Sequence, residues 1–209
     1  MSGQGNAAEP RFSFDADGWC PQARRVESPN CDQRPDGVAP DLLVIHNISL
    51  PPGEFGGPYI EQLFTNRLDC DAHPYFDRLR ELRVSAHFLI RRDGGLVQFV
   101  SCERRAWHAG ASDFCGRERC NDFSIGIELE GTDFESFAAV QYDVLAALTQ
   151  ALAARYPLGA IAGHEHIAPV RKTDPGPCFD WPRYRNELAR LRGGTDNAAD
   201  LLFPPLSQK

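Results

Sequence analysis

Hydrophobic and polar positions divide the chain into stretches of different period. Leu42 to Ile45 is an apolar run of branched residues within Asp41 to Asn47, bounded by Pro40 and Pro51-Pro52, and it predicts a buried strand that ends at His46. From Phe123 to Glu130 the period is two. Phe123, Ile125, Ile127 and Leu129 alternate with Ser124, Gly126, Glu128 and Glu130, so both glutamates share one strand face, which on pattern alone would be the solvated one. Val84 to Arg91 and Leu96 to Val100 flank Asp93-Gly94, the signature of a hairpin. Ser136 to Tyr156 has a helical period, with Val140, Val144, Ala147, Leu148, Ala151 and Leu152 on one stripe and Ser136 as candidate N-cap. Tyr59 to Thr65 and Pro74 to Leu82 are shorter helix candidates. Ala160 to Gly163 reads as a short strand, and Pro182 to Arg192 as a last helix carrying Tyr184, Leu188 and Leu191, stopped by Gly193-Gly194.

These elements predict an α/β fold: one domain with a mixed central sheet, packed by the 136–156 and 182–192 helices, with the site at one sheet edge. Residues 1–17 and 193–209 are mostly polar without periodic apolar positions, so both are expected to be mobile, leaving 18–192 as the folded domain. No internal repeat is present. A chain of 209 residues buries about 70% of its unfolded surface and folds without a structural metal, so a bound metal would be functional.

Composition narrows the partners. A net charge of −7 argues against non-specific nucleic-acid or anionic-membrane binding and leaves small molecules. The start MSGQGNAAEP lacks the basic and apolar regions of a secretory signal, and nowhere do about 18 apolar residues run together, which predicts a cytoplasmic protein. Seven cysteines, odd in number and loosely spaced, are expected as reduced thiols, with a structural zinc site at Cys115 and Cys120 as the alternative.

Gly163 to Pro177 concentrates the chemistry. Its three prolines and two glycines disfavour continuous helix or strand and predict a loop holding His164, His166, Lys172 and Asp174. A histidine and an aspartate can ligate one cation, and His46, at the carboxyl end of its strand, is placed to add a third donor. On spacing alone His166 competes with His164, because residues two apart in an extended chain point the same way, and Glu130 competes with Glu128 for the same reason.

The stretches VIHNISLPPGEFGG (44–57), RERCNDFSIGIELEGTD (117–133) and GHEHIAPVRKTDPGPCFDW (163–181) together resemble the zinc-dependent N-acetylmuramoyl-L-alanine amidases, especially their cytoplasmic branch. The likeness runs from about Gly18 to Arg185. It implies the amidase or peptidoglycan-recognition fold and one catalytic zinc on His46, His164 and Asp174. It further implies Glu128 as general base, Lys172 as oxyanion stabiliser, and hydrolysis of the amide between a muramic lactyl group and L-alanine in recycled anhydromuropeptides. Asn47, Arg83, Trp107 and Arg119 would contact the muropeptide. Related sequences carry an acid where His166 stands, so His166 is expected as an exposed imidazole, and His73, His87 and His108 as core or surface histidines. Two rivals are a recognition module that binds without cutting and an envelope amidase acting on intact wall. The complete ligand set disfavours the first, and the missing signal the second.

Overall fold

The computed structural model describes residues 11–191 and 201–204. In chain order the elements are β1 (Arg24–Arg25), β2 (Cys31–Gln33), β3 (Leu42–Ile48), α1 (Tyr59–Phe64), β4 (Phe88–Ile90), β5 (Leu96–Gln98) and β6 (Arg104–Ala106). They continue with β7 (Asp113–Phe114), β8 (Arg117–Glu118), β9 (Ser124–Glu130), α2 (Ala139–Arg155), β10 (Ala160–Gly163), α3 (His164–Ile167) and α4 (Trp181–Leu191). Two 3₁₀ segments, Pro74–Leu79 and Cys120–Asp122, complete the set. Among the described residues no helix is long and apolar enough to cross a membrane.

Six strands form one sheet in the order β1-β5-β4-β9-β3-β10. The β4/β5 pair is antiparallel and the other pairings are parallel, which makes the sheet mixed, as the pattern predicts. Strand parity then sorts the side chains. Leu43, Ile45, Ile125, Ile127 and Leu129 join the cluster formed with α2 and α4. Leu42, Val44, His46, Ser124, Gly126, Glu128 and Glu130 point the other way, and that face is also covered. Every residue of β9 is buried, because α1, the first 3₁₀ segment and the irregular stretch 107–123 lie over it. The face read as solvated is therefore an interior one, closed by chain that has no period to reveal it.

α2 starts later than its pattern suggests. Ala138 is the N-cap, and Gln141 replaces a capping hydroxyl: its Oε1 accepts from Ala138 N while Nε2 donates to the carbonyls of Ile90 and Glu130. Ser136 instead offers its carbonyl to Arg92. The helix is buried well beyond one stripe because α4 packs on its outer side, where Tyr184 and Thr149 share a hydrogen bond of 2.6 Å. The 74–82 candidate is a 3₁₀ turn from Pro74 to Leu79, started by His73, whose Nδ1 accepts from Tyr75 N.

The expected end segments lie partly outside the described residues. Their described parts are packed. Phe12 is buried, Phe14 stands edge-on to Phe88 and Tyr156, Leu201 is buried and Phe203 meets Tyr184. A few large apolar residues in polar surroundings suffice to dock such a segment, because each buries about 1.5–3 kcal/mol worth of side chain.

His87 illustrates the cost of this covered face. It is fully buried, its Nδ1 accepts from Gly126 N at 3.0 Å, and its Nε2 lies 3.0 Å from the carbonyl of Arg104. Burial, with the neighbouring Arg34 charge, pushes its pKa down to about 3. The unfolded chain takes up that proton near pH 6.5 and the folded chain does not, so stability is retained above 6.5 and lost as pH falls from there toward 3. In urea unfolding of chelator-treated protein, lowering the pH from 7.5 to 5.5 should cost the parent about 1 kcal/mol or more relative to His87→Gln, a comparison in which the contributions of the other buried groups cancel. A difference between the two proteins that does not change with pH would contradict a neutral buried His87.

Candidate active site

The parallel register assembles the site. His46 is paired with Glu128 across β3 and β9, and Ile45 with Gly163 across β3 and β10. His164 follows Gly163 and so arrives at the level of His46. Here the chain leaves the sheet in a single helical turn, α3, before the loop that bears Asp174, so the expected loop begins with a helix. The turn separates His164 from His166: at about 100° per residue, positions two apart face nearly opposite ways. His166 Nδ1 accepts from Gly163 N at 2.9 Å and its ring stands edge-on to Trp181, while His164 turns inward. The extended-chain competition between them does not arise.

Three acceptor atoms converge. His46 Nδ1 lies 3.0 Å from His164 Nδ1 and 2.9 Å from Asp174 Oδ2, and His164 Nδ1 lies 3.0 Å from Asp174 Oδ2. Both histidines are buried, and Asp174 is largely so. Burial holds the His46 pKa at about 4, so its ring is neutral at pH 7. Asp174 Oδ2 faces both ring nitrogens and completes the triangle. His164 Nε2 is 3.1 Å from the carbonyl of Ala109, which can only accept, so a neutral His164 carries its proton there and presents a lone pair at Nδ1. Two imidazole nitrogens and one carboxylate oxygen within reach of one point are the donor set of a catalytic zinc. An ion with bonds of about 2.0–2.2 Å spaces tetrahedral ligands by about 3.3–3.5 Å, slightly wider than the distances here. The residues fit the ion.

Beside them Glu128 is buried, with Oε2 lacking any hydrogen-bond partner among the described residues. Burial, then the Asp174 charge, raises its pKa well above the usual carboxylate value, while the Lys172 charge opposes this. Glu130 is differently placed: Oε1 accepts from Gly56 N and Arg91, and Oε2 from Arg92 N. It ties the 51–58 wall to the sheet and has no free oxygen. Lys172 is half-buried and, with Asp174, Thr173 and Asn47, lines a cavity of about 660 Å³.

Of the expected substrate contacts, Asn47 lines this cavity, but both its amide hydrogens are engaged, by Asp133 Oδ1 at 2.7 Å and the Pro175 carbonyl at 3.0 Å. Arg83, Trp107 and Arg119 do not line it. Arg83 is exposed and donates to the carbonyls of Arg80 and Leu82; Arg119 is exposed and pairs with Asp122. Trp107 is half-buried, with Nε1 buried and unpartnered. Segment 107–109 is held on one side by Ser85 and on the other by Asn121, so Arg83 and Arg119 lie on its two flanks.

Two participants escaped the sequence reading. His108, set aside as a core or surface histidine, has Nδ1 3.0 Å from His46 Nε2. Asp133 accepts from Asn47 and, through Oδ2, from Thr173 at 2.6 Å, which clamps the Asp174 loop to the end of β3. Gly176 has a positive φ of 81° and sits so close to Asp133 that no side chain fits, which marks the clamp in sequence only as a glycine after a proline. All seven cysteines are free; Cys115 is exposed and Cys120 buried.

Residues 36–177 match the N-acetylmuramoyl-L-alanine amidase family. The chain is 64% identical over 174 residues to the 1,6-anhydro-N-acetylmuramyl-L-alanine amidase AmpD of Salmonella typhimurium strain SL1344, covering 82% of this chain and 93% of that one. A crystal structure of a selenomethionine AmpD derivative superposes with a TM-score of 0.82 at 61% identity, over 84% of this chain and 98% of the other. Escherichia coli AmiD, solved with its substrate anhydro-N-acetylmuramic acid-L-Ala-D-γ-Glu-L-Lys, superposes with a TM-score of 0.52 at 27% identity, over 83% of this chain and 65% of that one.

An unpaired buried carboxyl with a raised pKa is a liability at neutral pH. The folded state holds the Glu128 proton after the unfolded state has lost it, so stability is full below about pH 4.5 and declines as pH rises above it. Glu128→Gln should therefore raise the melting temperature of chelator-treated protein at pH 8, by about 2–4 °C per kcal/mol relieved, and the gain should shrink toward pH 4.5. A lower melting temperature for the variant at pH 8 would show that Glu128 is not held as described.

Proposed function

The chain belongs to the N-acetylmuramoyl-L-alanine amidase family, and on that premise we propose that it hydrolyses the amide joining the lactyl group of 1,6-anhydro-N-acetylmuramic acid to L-alanine in recycled muropeptides. The observation that carries this reading is the meeting of His46 Nδ1, His164 Nδ1 and Asp174 Oδ2 within 3.0 Å of one another, beside the unpartnered Oε2 of Glu128. The identity to AmpD supports the choice of substrate, and the AmiD complex supports an anhydromuramoyl peptide as ligand. Residues 18–192 would form the amidase domain. Seven free thiols suit the cytoplasm as its place of action.

In this reading His46, His164 and Asp174 hold one zinc ion. Zinc so held supplies Lewis acidity, which lowers the pKa of water to near neutrality. Glu128 then takes the proton of the attacking water through Oε2 and returns it to the departing alanine amine. An amide nitrogen is a poor leaving group unless protonated, and a buried base of raised pKa is a good proton donor in the second step. Lys172, at the wall of the cavity, faces the oxygen on which charge develops and stabilises it in a site partly shielded from water. Arg83 and Arg119 suit the carboxylates of the stem peptide, and the half-buried Trp107 offers an apolar wall. A module that only bound muropeptide would gain nothing from an unpaired buried Glu128, which lowers its stability.

Incubating the protein with anhydromuropeptide and with intact peptidoglycan, and weighing the released products, tests the assignment. Free peptide plus anhydro-N-acetylmuramic acid from the first substrate is the expected result. Exhaustive chelation should abolish turnover and zinc restore it, while undiminished activity in a preparation shown to be metal-free would overturn the zinc reading. Glu128→Gln should slow the chemical step about 10²-fold or more with zinc retained, and Glu130→Gln much less. For Lys172→Ala, kcat and kcat/KM should fall together, by roughly 10²- to 10³-fold, with zinc content unchanged; a rise in KM alone would make Lys172 a binding residue instead.

A further inference from the structure

His46 Nε2 is 3.0 Å from His108 Nδ1, and His108 Nε2 is 3.1 Å from Ser124 Oγ. Ser124 Oγ in turn lies 2.6 Å from the carbonyl of Cys120. Only one end of this chain has a fixed polarity. A backbone carbonyl can only accept, so the single hydroxyl hydrogen of Ser124 goes to Cys120, and Oγ is left as an acceptor for His108. His108 must then donate from Nε2. His108 is half-buried with no carboxylate hydrogen-bonded to it, so near pH 8 it is neutral like any imidazole of ordinary pKa, about 6.5, and its Nδ1 is a lone pair, which accepts from His46 Nε2. The proton of His46 is thus on Nε2.

Resting on the zinc reading above, we infer that Ser124 and His108 are positioning residues: a one-way series of hydrogen bonds from the Cys120 carbonyl keeps the proton of His46 on Nε2 and turns Nδ1, as a lone pair, toward the cation. The alternative tautomer has an obvious attraction. With its proton on Nδ1, His46 would donate to Asp174 Oδ2 only 2.9 Å away, forming a charge-assisted bond that occupies two of the three ligands at once. The series opposes that internal competitor. Its geometry is also built into β9. Gly126 faces the His108 ring so closely that any side chain there would overlap it, so the polar face of β9 carries a hydroxyl, a gap and a carboxyl in succession at Ser124, Gly126 and Glu128. His164 has its own, simpler arrangement, donating Nε2–H to Ala109, so the two imidazole ligands are oriented by separate backbone carbonyls.

The test reads protons directly. Two-dimensional ¹⁵N–¹H spectra of the imidazoles in chelator-treated, full-length protein near pH 8.5 should show His46, His108 and His164 all protonated on Nε2. In His108→Leu, which removes the acceptor, His46 should move toward the Nδ1–H form, and zinc affinity, measured by competition with a chelator, should weaken about 10- to 100-fold. His108→Asn can place an amide oxygen where Nδ1 stood, and should restore most of the affinity and the Nε2–H form of His46. A general loss of packing would not be rescued by asparagine. An Nδ1–H tautomer of His46 in the unmodified protein would overturn the inference, as would unchanged tautomer and affinity in His108→Leu. If the leucine variant does not fold, the spectrum of the unmodified protein decides. Failure of the unmodified protein to bind zinc would refute the cofactor assignment, whereas the His46 tautomer in metal-free protein judges the relay by itself.

Discussion

Three side-chain atoms that could each ligate a cation meet at one point in this molecule, and little else in the site can be understood without asking what keeps them there. They lie within 3.0 Å of one another. Their approach is tolerated because each ligand is restrained from behind: His164 by the Ala109 carbonyl, His46 by His108, and the Asp174 loop by Asp133 acting on Thr173 and Asn47. The same Ala109 carbonyl also receives Arg171, which pins the far side of the loop. The site is a convergence held by outward ties, and its donor set is compatible with a cation.

Parallel strands are the economical way to bring this about. Because β3, β9 and β10 run together, one register line carries His46, Glu128 and the exit to His164 to the same height without any long loop having to find its place. A parallel sheet must be covered on both faces. One face is closed by α2 and α4, whose contacts are ordinary hydrocarbon packing. The other is closed by α1, the 3₁₀ segments and the stretch 107–123, and there the polar face of β9 meets unlike surroundings: a ring for Ser124, a ring against the bare backbone of Gly126, no hydrogen-bond partner for Oε2 of Glu128 among the described residues, and backbone amides with Arg91 for Glu130.

That division explains what could be read in the sequence. Strands β3, β9 and β10 and helices α2 and α4 announce themselves by period, since a two-residue or 3.6-residue repeat survives whatever packs on it. His46, His164, Asp174, Glu128 and Lys172 were legible as a set because their residue types suit one chemistry and their setting matches a family. The covering layer was not legible. Segment 107–123 has no repeat, so nothing signalled that His108 would reach His46 or that Glu128 would be interior. A four-residue helix such as α3 is too short to show a period, and it was this single turn that separated His164 from His166. At the ends of the chain, isolated residues such as Phe12 and Leu201 are buried in stretches whose average character is polar, and averages conceal anchors.

β10 is the last strand of its sheet, and an unpaired strand edge is an invitation to another chain. Here the invitation is already answered. Ile161 N donates to the Leu202 carbonyl and Leu202 N to the Gly159 carbonyl, so a short piece of the chain's own later sequence lies along the edge in parallel, while Phe203 stands edge-on to Tyr184 of α4. The strand that delivers His164 to the site is thereby hydrogen-bonded on both sides, by β3 within the sheet and by Leu202 outside it. A segment that contributes no atom to the chemistry guards the molecule against self-association through this edge and keeps the footing of a ligand from fraying.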